Sequence, residues 1–230
     1  MSRWELIETT DIPDGGGELR LFGRDSEFAI RIAGGQGDLM NSRTHGSEDA
    51  LGQLACEPLQ DRPAARVLIG GLGMGFTLAA ALACLRSDAA VTVAELVPGV
   101  VAWNRERLGG CADHPLQDPR VEVRIGDVGE LIRGSADTFD AILLDVDNGP
   151  EGLTHPENDR LYSLEGLSAA YRALRKDGIL AVWSVSPAKA FVKRMRGVGF
   201  AVEELRIRAH RGKGSRHVIW LARKGAAQRR

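Results

Sequence analysis

The residues with the clearest chemical potential form a glycine-rich loop that follows a short apolar run. Arg66 to Gly75 read Arg-Val-Leu-Ile-Gly-Gly-Leu-Gly-Met-Gly, so glycine recurs at Gly70, Gly71, Gly73 and Gly75. Glycine permits positive φ, and its missing side chain lets a ligand approach the main chain closely. A strand that ends in such a turn and opens directly into a helix is typical of nucleotide binding. The segment therefore predicts a nucleotide-type ligand.

The spacing of the glycines narrows the class of ligand. Gly71, Gly73 and Gly75 form G-x-G-x-G, and Phe76 stands where the last glycine of a dinucleotide fingerprint would fall. This spacing argues against a nicotinamide or flavin cofactor, and the absence of a following Gly-Lys-Ser/Thr excludes a P-loop. G-x-G-x-G after a first strand resembles the pattern of S-adenosylmethionine-dependent transferases. The alternative is a turn that only packs a strand on a helix.

Carboxylates follow the next predicted strands along the chain. Glu95 lies 20 residues after Gly75, where a carboxylate can accept both hydroxyls of a ribose. Asp127 is placed to accept a hydrogen bond from an adenine amino group, and the neighbouring Leu96 and Val128 join the predicted site. Any one of these acids can instead be a helix cap or a surface charge. Because ligands bind outside the carboxyl ends of strands in an open α/β sheet, together they predict an adenosine-bearing ligand.

Asp145 and Asp147 call for a different explanation, since an adenosine requires no carboxylates there. Asp145 ends an apolar strand, whose burial strengthens the field of the acid. Displacement at a sulfonium releases a neutral thioether, whereas an amine nucleophile must be deprotonated and aimed. Asp145 is therefore the predicted catalytic base, and Asp147 and Asn148 are predicted to contact the substrate. The alternatives are loop capping for Asp145 and an Asx turn for Asp147.

Two regions must position these residues. Leu19–Phe22 and Phe28–Ile32 alternate apolar with polar residues around a turn, which predicts a β-hairpin with one solvated face. It is too small for its own core, so we expect it to lie across the main domain near the site. From residue 66 onward strands and helices alternate, which predicts a parallel α/β sheet. We predict a β appendage over 1–40 and the main domain over 41–230.

Composition restricts the partners and the cellular compartment. The 230 residues are 43% hydrophobic, and 30 basic residues balance 31 acidic ones, so we expect no nucleic-acid partner and no membrane association. No run approaches the ~18 apolar residues of a membrane span, and the first residues lack the apolar core of a signal peptide. Three cysteines without metal-ligand spacing indicate a cytoplasmic protein with no metal site.

With these motifs in place, the chain resembles the spermidine synthase family of polyamine aminopropyltransferases. The resemblance rests on residues 67–75, 94–96 (Ala-Glu-Leu), 126–127 (Gly-Asp), 143–150 (Leu-Leu-Asp-Val-Asp-Asn-Gly-Pro) and 161–163 (Leu-Tyr-Ser). It implies the Rossmann-like S-adenosylmethionine-dependent methyltransferase fold, a seven-stranded, mostly parallel sheet with an antiparallel last strand. It also implies ribose binding by Glu95, adenine binding by Asp127, a base at Asp145 and a possible homodimer.

The departures from the family pattern bear on the donor and the acceptor. Gly73 stands where the family has an aspartate that would repel the carboxylate of intact S-adenosylmethionine, and Leu51 stands where it has a diamine-binding tyrosine. The leading hypothesis is therefore methyl transfer from S-adenosylmethionine to a small, amine-like acceptor. One alternative is aminopropyl transfer from decarboxylated S-adenosylmethionine. Another is an adenosyl-ligand binding protein without catalysis.

Overall fold

A computed structural model describes residues 3–35, 37–146, 160–210 and 213–225 of the chain. Within these ranges a seven-stranded sheet has the order β10-β11-β9-β8-β5-β6-β7. β11 runs antiparallel to both of its neighbours, and the other pairs are parallel. The α/β fold predicted from the sequence is therefore confirmed. The strands are β5 (Arg66–Gly70), β6 (Ala90–Glu95), β7 (Val121–Ile125), β8 (Phe139–Leu144), β9 (Leu174–Ser184), β10 (Ala201–His210) and β11 (Lys213–Arg223).

Helices cover both faces of this sheet because successive strand residues point to opposite sides. Val67 and Ile69 pack in one core cluster, with α1, α2 and α3, while Leu68 packs in a second cluster, with α4, α5 and α6. The helices in the described ranges are α1 (Gly46–Cys56), α2 (Phe76–Cys84), α3 (Pro98–Glu106), α4 (Val128–Arg133), α5 (Leu164–Ala173) and α6 (Lys189–Val198). α4 was not predicted from the sequence, since six residues are too few to display a helical period.

A smaller antiparallel sheet of four strands precedes the large one, in the order β1-β2-β3-β4. Its strands are β1 (Glu5–Ile12), β2 (Gly17–Arg24), β3 (Glu27–Ile32) and β4 (Met40–Asn41). β2 and β3 form the predicted hairpin, with β1 paired to β2 and β4 paired to β3. Leu19, Leu21 and Ile30 share the core cluster of the main domain. The small sheet thus packs against the large one, while the division at residue 40 stays a prediction.

A buried ionic cluster joins β5 to β8 at their amino ends. Asp140 has no exposed surface and accepts a hydrogen bond from the backbone N–H of Arg66 at 2.7 Å. The guanidinium groups of Arg62 and Arg175 lie 2.9 and 3.0 Å from its carboxylate. The length of β5 and β8 separates this cluster from the glycine loop, so we expect Asp140 to affect the stability of the fold rather than ligand binding.

Across the described ranges, no helix is long and apolar enough to cross a membrane, and no group of acids, cysteines and histidines is arranged to hold a metal ion.

Candidate active site

A cavity of about 390 Å³ opens at the carboxyl edge of the large sheet, beneath the small sheet. This volume lies within the range of small-molecule sites. The small sheet contributes apolar residues such as Ile12, Leu19 and Met40. The residues predicted from the sequence that line the cavity are Gly71, Gly73, Glu95, Leu96, Asp127, Val128 and Asp145. The topology therefore brings together residues that are far apart in the chain.

The glycine loop takes a backbone path that side chains disfavour. Gly71, Gly73 and Gly75 have φ of 85°, 54° and 85°, in the left-handed region. Gly75 precedes the first residue of α2, so the loop opens directly into a helix N-terminus, as predicted. The other two predicted loop residues, Gly70 and Gly75, are not among the described residues that line the cavity. A β-carbon at Gly70 would lie 2.9 Å from the Val128 side chain, so this glycine lets Val128 pack on the loop.

Gly71 also fixes the position of the predicted base. A β-carbon at Gly71 would collide with the carbonyl oxygen of Asp145, so only glycine allows the two loops to meet this closely. The Asp145 N–H donates to the Gly70 carbonyl at 2.9 Å, and the Gly71 N–H donates to the Ala94 carbonyl at 2.9 Å. The carboxyl ends of β5, β6 and β8 are thus joined by backbone hydrogen bonds, which hold the cavity floor in a defined shape.

Gly73 faces the small sheet. The Sδ atom of Met40 lies 3.1 Å from the place where a β-carbon at Gly73 would stand. On the other side, the buried amide of Asn104 donates to the Gly73 carbonyl at 2.8 Å and to the Val100 carbonyl at 2.9 Å. A larger residue at 73 would therefore have to displace a thioether from β4. Neither Met40 nor Asn104 was predicted from the sequence, because each reaches the loop from a distant element.

Glu95 is buried at the end of β6, where its carboxylate binds the backbone of two loops. It accepts hydrogen bonds from the N–H groups of Leu72 at 2.8 Å and Val97 at 2.9 Å. Burial raises the pKa of Glu95, and these backbone donors oppose that rise. Carboxylate oxygens accept more than one hydrogen bond, so Glu95 can hold the glycine loop and still accept from a ligand hydroxyl in the cavity. Ribose binding by Glu95 stays a prediction.

Asp127 lies in the cavity wall and also caps α4. Its Oδ1 accepts from the Gly129 N–H at 2.7 Å, and its Oδ2 lies 3.3 Å from the Arg133 guanidinium. The sequence left a helix cap open as the alternative for each strand-end acid, and for Asp127 the structure contains that cap. Asp127 lines the cavity as well, so the predicted contact with adenine remains open.

Asp145 follows β8 and accepts a hydrogen bond from the hydroxyl of Thr77 at 2.6 Å. Thr77 belongs to the first turn of α2, so the helix that the glycine loop opens also orients the predicted base. Desolvation in the cavity raises the pKa of Asp145 to about 6, and the Thr77 hydrogen bond opposes the rise. A carboxylate with a raised pKa is a better proton acceptor than an ordinary one.

Glu48 is a second carboxylate of this site, and sequence reasoning missed it. It lies in the first turn of α1 and lines the cavity that Asp145 also lines. Burial, reinforced by the charge of Asp145, raises the pKa of Glu48 to about 7. In the sequence, Glu48 was identified only as part of the acidic first turn of a predicted helix, where a negative charge is favourable. Leu51, one turn further on, is fully buried in the core and lies outside the cavity lining.

The two predicted substrate contacts, Asp147 and Asn148, lie outside the described residues. Among the described residues, Glu48, Asp145 and Trp183 line the cavity. A pair of carboxylates with raised pKa beside an aromatic ring can bind an ammonium group and accept a proton from it.

Comparisons with known proteins agree with this architecture. The family described as the spermine/spermidine synthase domain matches residues 54–193, which is more than half of the chain. A polyamine aminopropyltransferase of Mycobacterium tuberculosis (strain CDC 1551) is 33% identical over 117 residues, covering 47% of this chain and 22% of that protein. A polyamine aminopropyltransferase of Mycobacterium bovis matches equally well. The chain thus spans about a fifth of the length of the curated relatives it matches.

Solved structures share the fold at low sequence identity. The crystal structure of the spermidine synthase of Thermotoga maritima has a TM-score of 0.76 and 21% identity, covering 96% of this chain and 74% of that one. A spermidine synthase in complex with the transition-state analogue AdoDATO has a TM-score of 0.75 and 19% identity, covering 96% and 73%. These likenesses establish the Rossmann-like fold and leave the reaction to be argued from the cavity.

Proposed function

The chain belongs to the spermine/spermidine synthase domain family, and from this premise we propose that it transfers an aminopropyl group from decarboxylated S-adenosylmethionine to an amine. The names of its curated relatives support aminopropyl transfer over methyl transfer. The donor would lie with its adenosine along the glycine loop, Glu95 and Asp127. The acceptor amine would approach from the side of Glu48 and Asp145.

One observation carries this proposal, the charge of the cavity. Its lining holds the carboxylates of Glu48, Glu95, Asp127 and Asp145, and among the described residues no lysine or arginine lines it. Such a field attracts cations and repels anions. Decarboxylated S-adenosylmethionine carries a sulfonium and an ammonium, whereas intact S-adenosylmethionine also carries a carboxylate. A protonated amine acceptor is likewise a cation. The field therefore favours the decarboxylated donor and a polyamine acceptor.

The reaction requires little chemistry from the protein beyond orientation and proton removal. The acceptor nitrogen attacks the aminopropyl carbon that is bonded to the sulfonium sulfur. The bond between that carbon and the sulfur breaks, and a neutral thioether leaves. Before the attack, Asp145, held by Thr77, accepts a proton from the acceptor ammonium and orients the lone pair of the neutral amine that results. The neutral leaving group needs no acid, which fits the absence of a cationic side chain among the described residues of the lining.

A second candidate is methyl transfer from intact S-adenosylmethionine, and one observation favours it. The loop position of Gly73 carries no carboxylate to bind the amine end of a decarboxylated donor, and Met40 occupies the adjacent space. A less acidic loop weakens discrimination against the methionine carboxylate. The two candidates differ in the donor, so a donor competition separates them.

The test is an incubation of the protein with each donor and a panel of amines, including putrescine and spermidine. Mass spectrometry then distinguishes methylthioadenosine plus an amine extended by an aminopropyl group from S-adenosylhomocysteine plus a methylated amine. We expect the first pair of products. Formation of the second pair alone would replace aminopropyl transfer by methyl transfer, and calorimetric binding of both donors without turnover would favour a binding protein.

The matched variants are Asp145→Asn and Asp61→Asn. The first removes the proposed base while keeping the size of the side chain and its bond from Thr77, so we expect a loss of turnover of about 10²–10⁴-fold. The second changes an exposed aspartate in the turn before β5 and serves as the control. Equal rates for the wild type and Asp145→Asn would exclude Asp145 as the base.

A further inference from the structure

A buried hydroxyl lies between Glu48 and the last strand of the large sheet. Ser47 has no exposed surface, and its Oγ lies 2.6 Å from Oε2 of Glu48 and 2.8 Å from Nδ1 of His217. A serine at the N-cap position of a helix commonly caps a backbone N–H, but Ser47 is the second residue of α1. Here α1 begins after His45 without a side-chain cap, and the Ser47 hydroxyl is committed to two side chains. The hydroxyl therefore bridges the neighbouring acid and an imidazole that lies 170 positions further along the chain.

The position of His217 on β11 aims its ring at α1. His217 pairs with Ile207 of β10, and paired residues of antiparallel strands share a face of the sheet. Ile207 packs in the cluster that contains α1. The His217 ring also meets Trp183 edge to face at 4.7 Å, and Trp183 lines the cavity. His217 is thus held by β9, β10 and α1 together, which restricts the ring to one orientation.

The direction of these hydrogen bonds follows from the protons that Glu48, Ser47 and His217 can each donate. An ionised carboxylate only accepts, so the single hydroxyl proton of Ser47 goes to Glu48. Ser47 can then only accept from His217, which requires the tautomer with the proton on Nδ1. The resulting chain donates from imidazole to hydroxyl to carboxylate. Hydrogen bonds to the charged form of an acid favour that form, and each bond in such a chain polarises the next.

We propose that His217, acting through Ser47, is a positioning residue that holds the Glu48 carboxylate ionised and turned toward the cavity, where it binds the ammonium of the acceptor. The inference rests on the proposed function for the identity of the ligand, while the chain of hydrogen bonds is independent of it. Burial and the charge of Asp145 both push Glu48 toward its neutral form. The bond from Ser47 opposes them, and without it Glu48 would bind a cation less well.

The effects of other titratable groups on Glu48 must be distinguished from the effect of His217. The charge of Asp145 raises the pKa of Glu48, and the charge of His45 lowers it. The His45 ring is itself 2.8 Å from Asp49 and stacks on Phe76 at 3.9 Å, so it has partners of its own. On β10, the charged residues beside Ile207 alternate to the opposite face of the sheet. A His45→Gln variant therefore reports the contribution of the other histidine to any pH effect.

The kinetic test compares His217→Leu, which lacks the donor, with His217→Asn, whose amide N–H can replace Nδ1–H. We expect His217→Leu and Ser47→Ala to raise the KM of the acceptor about tenfold and to leave kcat at saturation nearly unchanged. We also expect the pH below which acceptor binding weakens to rise in both variants. His217→Asn should restore most of the affinity, and Arg216→Gln, an exposed neighbour on β11, should not change it. An equal loss in His217→Asn and His217→Leu would overturn the proposal.

A second measurement keeps the inference testable if no turnover is found with any donor. Nitrogen-15 NMR of labelled histidine identifies the His217 tautomer, and carbon-13 NMR of labelled glutamate follows the titration of Glu48. We expect Nδ1–H at His217 and a higher pKa of Glu48 in Ser47→Ala. The Nε2–H tautomer, or an unchanged titration of Glu48, would refute the hydrogen-bond chain. Correct NMR results without aminopropyl transfer would instead count against the proposed function alone.

Discussion

Replacement of Glu48 by glutamine tests the electrostatics of the site without reference to any ligand. The pKa of Glu48 rises from 4.5 to about 7 in the folded protein because of burial and the charge of Asp145. The folded state therefore holds a proton that the unfolded chain releases above about pH 4.5. The free energy of unfolding then falls as the pH rises from about 4.5 to 7, since the unfolded state binds fewer protons in that window.

The magnitude follows from the shift. One pKa unit corresponds to about 1.36 kcal/mol, so a rise of this size costs roughly 3 kcal/mol in full, of which about 2–3 kcal/mol is lost between about pH 5 and pH 8. A glutamine side chain in place of Glu48 would keep an acceptor for Ser47 and carry no charge at either pH. We expect Glu48→Gln to match the wild type within about 1 kcal/mol at pH 5 and to be about 2–3 kcal/mol more stable at pH 8.

Urea denaturation at pH 5, 6, 7 and 8 measures the difference directly. Glu57→Gln, at an exposed position directly after α1, is the matched control for the loss of one surface charge. We expect it to change the free energy of unfolding by less than about 0.5 kcal/mol throughout. A Glu48→Gln curve parallel to the wild-type curve across this range would refute the raised pKa, and with it the argument that Glu48 is desolvated beside a second acid.

Three further predictions concern the scaffold and the donor site. Gly52→Ala places a methyl group 2.5 Å from the Thr77 carbonyl oxygen and should lower the free energy of unfolding by about 1–3 kcal/mol. The control Gly197→Ala has nothing within 4 Å of the added methyl group and should not lower it. Equal urea midpoints for the two variants would refute the close packing of α1 on α2. Asp140→Ala removes the buried acceptor of the Arg66 N–H and of two partly exposed arginines, and should cost about 1–3 kcal/mol in chemical denaturation without changing donor affinity. Glu95→Ala should weaken binding of adenosyl ligands by about 1–3 kcal/mol in calorimetry, and unchanged affinity would exclude its contact with ribose.

The leading hypothesis from the sequence and the relatives of the chain differ over the transferred group. Methyl transfer rested on Gly73 and Leu51, two positions that depart from the family pattern. The family match and the curated relatives favour the alternative, aminopropyl transfer. The structure supplies a reason why a missing acid at 73 need not decide the donor. Glu48 and Asp145 contribute negative charge to the same cavity, and Glu48 was not recognised as part of the site from the sequence.

The features that the sequence determined by itself are local in origin. The glycine loop, the strand-end acids Glu95, Asp127 and Asp145, and the α/β alternation could be predicted because they depend on backbone conformation and strand order. A backbone position that requires positive φ can be recognised in the sequence, because glycine is the residue that adopts this conformation readily. The carboxyl ends of parallel strands meet at one edge whatever the rest of the chain does.

The remaining part of the site was decided by tertiary structure. Glu48 and Met40 line the cavity from α1 and β4, and Asn104 reaches the glycine loop from α3. His217, on β11, is linked to Glu48 only through Ser47. Each of these residues looks ordinary in its own segment. Their roles arise from burial and from partners far away in the chain, such as the hydroxyl between Glu48 and His217. A pKa depends on desolvation and on neighbouring charges, and neither exists until the elements have packed. The sequence therefore located the glycine loop and the strand-end acids of the candidate site, and packing decided which other charged side chains line the same cavity.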